Sequence, residues 1–193
     1  MTEENKTKIH PHFKKVIYDE QTISNRIKEL AQWVDETYKD SQNLILVGIL
    51  KGSMPFMAEL MRNVTKTHAI DFIVASSYGG ANESSGSVKI VLDLAADIRG
   101  KDVLLVEDII ESGITINKIV RLLKDRKPNS IKTITLIDKP FRKETFVPEK
   151  SGFLLEQKVF LVGFGLDYQE KLRNVPYVGE FNQDFLNHPD YDN

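Results

Sequence analysis

The sequence predicts an α/β protein in which helices flank a parallel, twisted sheet. Three observations predict it. Leu44 to Leu50 is a continuous apolar run of strand length, the pattern of a strand buried on both faces. Stretches with apolar residues at steps of three and four alternate with such runs. The strand segments end in short polar turns that open into helices, which is the grammar of strand–helix–strand units around a parallel sheet.

Taken in order, Ile23, Ile27, Leu30, Val34 and Tyr38 lie on one helical face, with Asp19 and Thr22 available as caps. The Leu44–Leu50 strand stops at Lys51-Gly52-Ser53, and Phe56, Met57, Leu60 and Met61 then repeat at helical spacing, with Ser53 as cap and Pro55 in the first turn. Ile70 to Ala75, 131 to 137 and 159 to 162 read as further strands, with a helix from about Thr115 to Lys124. Residues 76–87 are rich in Ser and Gly and read as a mobile loop, while the polar tail from Asp184 reads as loose. No repeat or linker divides the chain, so residues 1–193 are expected to form one domain.

Composition narrows the function. The chain has 26 basic and 28 acidic residues, a formal charge of −2, so it lacks the broad positive field that holds a nucleic-acid backbone. It has no cysteine, which excludes disulfides, thiol nucleophiles and Cys-ligated metal centres. The polar start and the absence of any apolar run near ~18 residues predict a cytoplasmic protein without a membrane span. His10, His12, His68 and His188 show no metal-ligand spacing, His10-Pro11-His12 reads as part of a flexible arm, and Lys124 to Lys127 and Arg142-Lys143 read as solvated faces.

The chemistry concentrates between Val103 and Thr115. Val103-Leu104-Leu105-Val106 is a buried strand, followed by Glu107-Asp108, then Glu111-Ser112-Gly113-Ile114-Thr115 and a helix. Carboxylates there lie at the carboxyl edge of the sheet, where open α/β folds bind ligands. A turn of Ser, Gly and Thr opening a helix offers unpaired amides, hydroxyls and the positive end of the helix dipole, a cradle for a phosphate dianion. Neither a Gly-Lys-Ser/Thr P-loop nor GxGxxG is present, at this turn or at Gly163-Phe164-Gly165. A phosphorylated ribose, which needs both hydroxyl acceptors and an anion cradle, suits the segment.

Four stretches resemble the hypoxanthine-guanine phosphoribosyltransferase family, within the type I phosphoribosyltransferases. They are Leu50-Lys51-Gly52-Ser53; Ser77-Tyr78-Gly79-Gly80; Val103 to Thr115 with Lys139 beyond the next strand; and Phe160 to Tyr168 running on to Arg173. The resemblance implies a core sheet with a small hood, formed by the N-terminal segment and about 140–193, and a catalytic loop at 76–87 carrying Ser77 and Tyr78. It implies purine salvage: transfer of the phosphoribosyl group of phosphoribosyl pyrophosphate to a 6-oxopurine with Mg2+, in a homodimer or homotetramer.

By the same resemblance, Glu107 and Asp108 hold the ribose hydroxyls directly or through magnesium, and Ser112, Gly113, Ile114 and Thr115 with Glu111 hold the 5′-phosphoribosyl group. Lys51 and Gly52 bind pyrophosphate, often through an unusual cis peptide at that pair in the family, with Arg173 reaching the same anion, and Asp167 is the ligand of a second magnesium on pyrophosphate and is counted with the purine-binding residues. Lys139, Phe160 and Leu161 meet the base. Glu111 takes the place of the acid–base residue, where the family usually has Asp; the carboxylate is retained on a side chain one methylene longer. The competing possibility is an RNA-binding attenuation regulator on the same fold, which the near-neutral charge disfavours.

Overall fold

The structure, a computed structural model, describes residues 9–77, 88–141 and 146–187. Tyr78 and most of the predicted 76–87 loop therefore lie outside the described residues, as does the tail beyond 187. Two sheets organise the rest. The larger has six strands: β2 (Leu44–Leu50), β3 (Ala69–Ser77), β4 (Val88–Leu92), β5 (Asp102–Ile110), β6 (Ser130–Asp138) and β7 (Lys150–Leu154), in the order β4-β3-β2-β5-β6-β7. All its neighbours are parallel except β4, which runs antiparallel to β3 at one edge. The smaller sheet is antiparallel, β1 (Phe13–Tyr18), β9 (Val178–Phe181) and β8 (Leu161–Val162), in the order β1-β9-β8.

The central strands are apolar on both faces because both are covered. Leu44 and Leu46 of β2 and Leu104 and Val106 of β5 pack under α1 (Glu20–Thr37) and α2 (Met54–Asn63), while Ile45, Val47, Val103 and Leu105 pack under α3 (Ile114–Lys124). α1 begins as its sequence dictates: Asp19 Oδ1 accepts the Thr22 N–H at 2.7 Å, and Ile23, Ile27, Leu30 and Val34 are buried. Fully burying each such side chain contributes about 1.5–3 kcal/mol.

Several expectations need correction. Ser53 sits at the N-cap of α2 but does not cap it, since its hydroxyl donates to the Ile49 carbonyl at 2.6 Å. The expected strand at 159–162 shortens to β8 and joins the antiparallel sheet, because its partner is β9 and not the parallel core. β5 does not stop at Val106; it runs on through Glu107 and Asp108 to Ile110, still paired with β6. The His10-Pro11-His12 arm is tied down: the His10 N–H donates to Tyr177 Oη at 2.8 Å, and the His12 and Phe185 rings meet edge-on at 4.9 Å. Gln183–Asn187, at the start of the predicted loose tail, forms a 3-10 turn.

Asp102, at the start of β5, ties three connections together at the end of the sheet where that strand begins. It accepts from Ser41 Oγ at 2.6 Å and from Asn129 Nδ2 and Ser130 Oγ, each at 2.7 Å. Burial pushes its carboxyl up, but the bonds from Ser130, Ser41 and Asn129 outweigh it and hold the group below its ordinary value. Asp102→Ala is expected to cost about 1–3 kcal/mol, or about 2–4 °C of Tm for each kcal/mol. A carboxyl lowered in the folded state stabilises above its unfolded value of about 3.9 and loses that contribution as pH falls. The Tm gap between wild type and variant should therefore be full at neutral pH and narrow below about pH 4; a pH-independent gap would assign the loss to packing.

Candidate active site

The site grows from the carboxyl end of β5. Strand pairing with β6, Glu107 opposite Thr135, carries two consecutive acids to the sheet edge. Glu107 lines a cleft of about 240 Å³ together with Ile110, Glu111, Ser112, Gly113 and Thr115. Burial, then the charge of neighbouring Asp108, pushes the Glu107 carboxyl well above the ordinary carboxylate range. Its Oε2 atom is buried and, among the described residues, has no hydrogen-bond partner. Burial raises Asp108 as well, against the Ile109 N–H that it accepts at 2.9 Å. Two acids costly to ionise, one with a vacant lone pair, suit a partner that brings hydroxyl protons or positive charge.

The turn after β5 is the segment in which the sequence placed an anion cradle. Gly113, at φ 75°, is the N-cap of α3, and the Asn117 N–H closes the first helical bond on its carbonyl. The first-turn amides of any helix lack intrahelical acceptors, and Ser112, Gly113 and Thr115 of this turn line the cleft. Ser112 Oγ accepts the Ile114 N–H at 3.3 Å, which folds the turn back on itself. Clefts of about 490 and 510 Å³ lie elsewhere, along α1 and α2. Neither contains a residue of β5 or of the turn that follows it, so the smaller cleft is the candidate.

A second group of residues converges from β2 and from the segment after β8. The Leu50–Lys51 peptide is cis, one bond before the Lys51–Gly52 pair to which the sequence pointed. Gly52 packs against Asp108 so closely that a Cβ there would overlap the carboxylate. Gly165, at φ 96°, lies equally close to the Gly52 carbonyl oxygen. Arg173 fixes this junction: Nη1 donates to the Gly165 carbonyl at 2.7 Å and Nη2 pairs with Asp167 Oδ1 at 2.8 Å. Asp167 Oδ2 also accepts the Glu170 N–H at 2.9 Å. Lys51 Nζ lies 3.0 Å from Glu170 Oε2, a carboxylate that the sequence reasoning passed over.

The third group lies beside the phosphate turn. Lys139, just past β6, is buried to 8% exposure, yet its ammonium is ion-paired with Glu111 and donates to the Val159 carbonyl at 2.8 Å. Phe160, the next residue, is 47% exposed and meets Tyr168 and Phe181 edge-on at 6.0 Å. An aromatic ring in a strand is most often core; this one is not. Leu161 is the reverse case, with its side chain buried in the main core. Ser77 ends β3, paired with Val88.

Most of the predicted residues thus fall into three adjoining groups: Glu107, Glu111, Ser112, Gly113 and Thr115 around the cleft, Lys51, Gly52, Asp108, Asp167 and Arg173 at the Gly165 junction, and Lys139 with Phe160 next to Glu111. The acids expected to face water or ligand beyond the strand are partly enclosed within it. Glu170 could have been singled out only from its place in the Phe160 to Arg173 stretch, because a lone acid in a polar turn is ordinarily solvated.

Beside this strand-borne acid pair, the turn that follows it and the flanking small sheet, residues 15–169 match the phosphoribosyl transferase domain family, which makes the chain a phosphoribosyltransferase. Hypoxanthine phosphoribosyltransferase of Escherichia coli strain K12 is 47% identical over 171 residues, covering 88% of this chain and 96% of that one. Hypoxanthine-guanine phosphoribosyltransferase of Dictyostelium discoideum is 42% identical over 175 residues, covering 89% and 97%. The crystal structure of a hypoxanthine phosphoribosyltransferase from Staphylococcus aureus superposes with a TM-score of 0.89 at 40% identity, covering 96% of this chain and all of that one. The chain belongs to the hypoxanthine and hypoxanthine-guanine phosphoribosyltransferase family.

Proposed function

We propose that the protein transfers the 5-phosphoribosyl group of phosphoribosyl pyrophosphate to N9 of hypoxanthine or guanine, releasing pyrophosphate and the nucleoside monophosphate. The observation that carries this reading is the Glu111–Lys139 pair, which joins a phosphate-binding turn to a buried ammonium beside an exposed aromatic ring. An ammonium has donors and no acceptors, so it suits the 6-oxygen of a purine and is left unpaired by the amino group of adenine. Phe160 offers its exposed face to the base, and with the Leu161 side chain in the core, only the backbone of that residue is available to the purine.

Cleavage at the anomeric carbon develops oxocarbenium-like charge, as in glycoside hydrolysis, which nearby carboxylates stabilise. Glu107 and Asp108 hold the ribose hydroxyls on one side of that centre. Ser112, Gly113, Ile114 and Thr115 hold the 5′-phosphate by turn amides and hydroxyls, and Lys51, Gly52 and Arg173 hold the leaving pyrophosphate. Glu111 accepts the purine N7 proton as N9 attacks the anomeric carbon, and gives that proton up to solvent once the nucleoside monophosphate has formed. Ser77, at the end of β3, leads into the segment from Tyr78 that is read as covering the reacting centre and excluding water, the competing nucleophile.

The donor set fits Mg2+. The unpartnered Glu107 oxygen, Asp108 and Asp167 are hard carboxylate ligands. Among the described residues no three His, Asp or Glu side chains form a closed cage, and magnesium characteristically binds one or two carboxylates together with substrate phosphates. When bound, the ion supplies positive charge to the departing pyrophosphate.

The assembly is read as a homodimer or homotetramer, and the exposed apolar side chains of Met54, Ile70, Val91 and Leu92 on α2, β3 and β4 offer surface for such a contact. Residence in the cytoplasm belongs to the same proposal. Among the described residues no helix is long and apolar enough to cross a membrane. The test is product identity. Protein, Mg2+, phosphoribosyl pyrophosphate and hypoxanthine should yield IMP by mass spectrometry, and failure with both hypoxanthine and guanine would sink the assignment.

A further inference from the structure

Glu170 stands in the site without a role in the account so far. Its Oε2 atom lies 3.0 Å from Lys51 Nζ and 3.2 Å from Arg173 Nη2, so one carboxylate oxygen bridges the two side-chain cations assigned to pyrophosphate. The turn that delivers it is unusual. Gln169, Glu170 and Leu172 all lie in the left-handed region, at φ 49°, 66° and 73°. Tyr168 and Lys171 exchange backbone hydrogen bonds of 3.2 and 3.0 Å across it, and Asp167 accepts the Glu170 amide. Non-glycine residues persist in that region only where their surroundings over-determine them. The strain here holds an acid over two cations that a surface turn would leave free.

We propose that Glu170 is the resident counter-ion of the pyrophosphate subsite. In the unliganded protein its carboxylate takes the place of a pyrophosphate oxygen, the incoming donor displaces it, and it competes with product pyrophosphate for the same two cations. The inference rests on the assignment of Lys51 and Arg173 made under Proposed function. A glutamate carboxyl is ordinarily charged at neutral pH, so it offers both cations a negative oxygen. An internal competitor lowers apparent affinity by the fraction of molecules in which the cations are free. The pair is exposed, so the effect is modest.

Titration calorimetry of inorganic pyrophosphate with Mg2+ tests this in wild type, Glu170→Gln and Glu36→Gln. Glu36, paired with Lys39 at 2.9 Å on α1, controls for the loss of one negative charge. Glu170→Gln should bind pyrophosphate about three- to tenfold tighter, Glu170→Ala should move the same way, and Glu36→Gln should match wild type. Unchanged affinity in both Glu170 variants overturns the proposal, and so does weaker binding, which would make Glu170 a support for Arg173. No binding by any of the proteins would remove the pyrophosphate assignment of Lys51 and Arg173, and the counter-ion with it.

Discussion

Glu111→Gln is expected to lower kcat by about 10²- to 10⁴-fold while changing the affinity for phosphoribosyl pyrophosphate by less than about tenfold. The side chain lies at the head of the phosphate turn, but the cradle itself is made of backbone amides and hydroxyls, which the substitution leaves in place. What glutamine removes is the ability to exchange a proton with the base. It also replaces the carboxylate beside the nearly buried Lys139 ammonium with a neutral amide, which removes the ion pair while the Val159 carbonyl still accepts from that ammonium. Glu111→Asp separates the two properties. It keeps the charge and shortens the reach by one methylene, and because a displacement on the order of 1 Å can cost ~10² in rate, its activity reports whether the rest of the site is fitted to the longer acid. Stopped-flow turnover and donor titration on the same preparations provide the comparison. Equal losses in turnover and donor binding for Glu111→Gln would make Glu111 a part of the loop scaffold and nothing more.

Gly165→Ala should produce a large change for so conservative a substitution. At φ 96° an alanine is strained, and its Cβ would overlap the Gly52 carbonyl oxygen and lie 3.0 Å from Pro55 Cδ. The loss is expected to be on the order of 3 kcal/mol, a fall in Tm of about 6–12 °C. Because the displaced atom belongs to the Lys51–Gly52 turn, donor KM should rise by at least about tenfold as well. Gly100→Ala isolates the backbone cost: Gly100 has φ 68° and nothing within 4 Å of its missing Cβ. That variant should lose only about 1–2 kcal/mol with donor KM unchanged. Matching behaviour of the two would mean that the Gly52–Gly165 approach has no part in donor binding.

The parts of the molecule legible in sequence were those whose pattern reflects burial directly. Leu44–Leu50 is apolar throughout because both faces of β2 are covered, and α1 carries its cap at Asp19 and its stripe from Ile23 to Val34. β4 and β7 escaped because their order comes from their partners. Lys150–Leu154 contains Ser and Gly and pairs with β6, and β4 is an edge strand with Val91 and Leu92 exposed. The end of β5 was misjudged for a related reason: the strand was read as stopping at Val106, where the apolar run gives way to consecutive acids, whereas it continues through them and burial raises both carboxyls.

At the site, the positions of Glu107, Asp108 and the 111–115 turn followed from the strand–acid–turn–helix order. The roles of Lys51, Lys139, Phe160, Asp167 and Arg173 did not, since each is an ordinary residue until folding brings distant segments together. Glu170 is the extreme case. It meets Lys51 across 119 residues of chain, and no local pattern marks that pairing.

The central claim is that one buried ammonium, held beside the phosphoribose cradle by Glu111, selects a 6-oxopurine as acceptor. Pyrophosphate release, measured side by side with hypoxanthine, guanine, xanthine and adenine at saturating phosphoribosyl pyrophosphate and Mg2+, tests it most directly. The account predicts release with hypoxanthine or guanine and background release with adenine. Adenine turning over as fast as hypoxanthine, or no release with any 6-oxopurine, would contradict it.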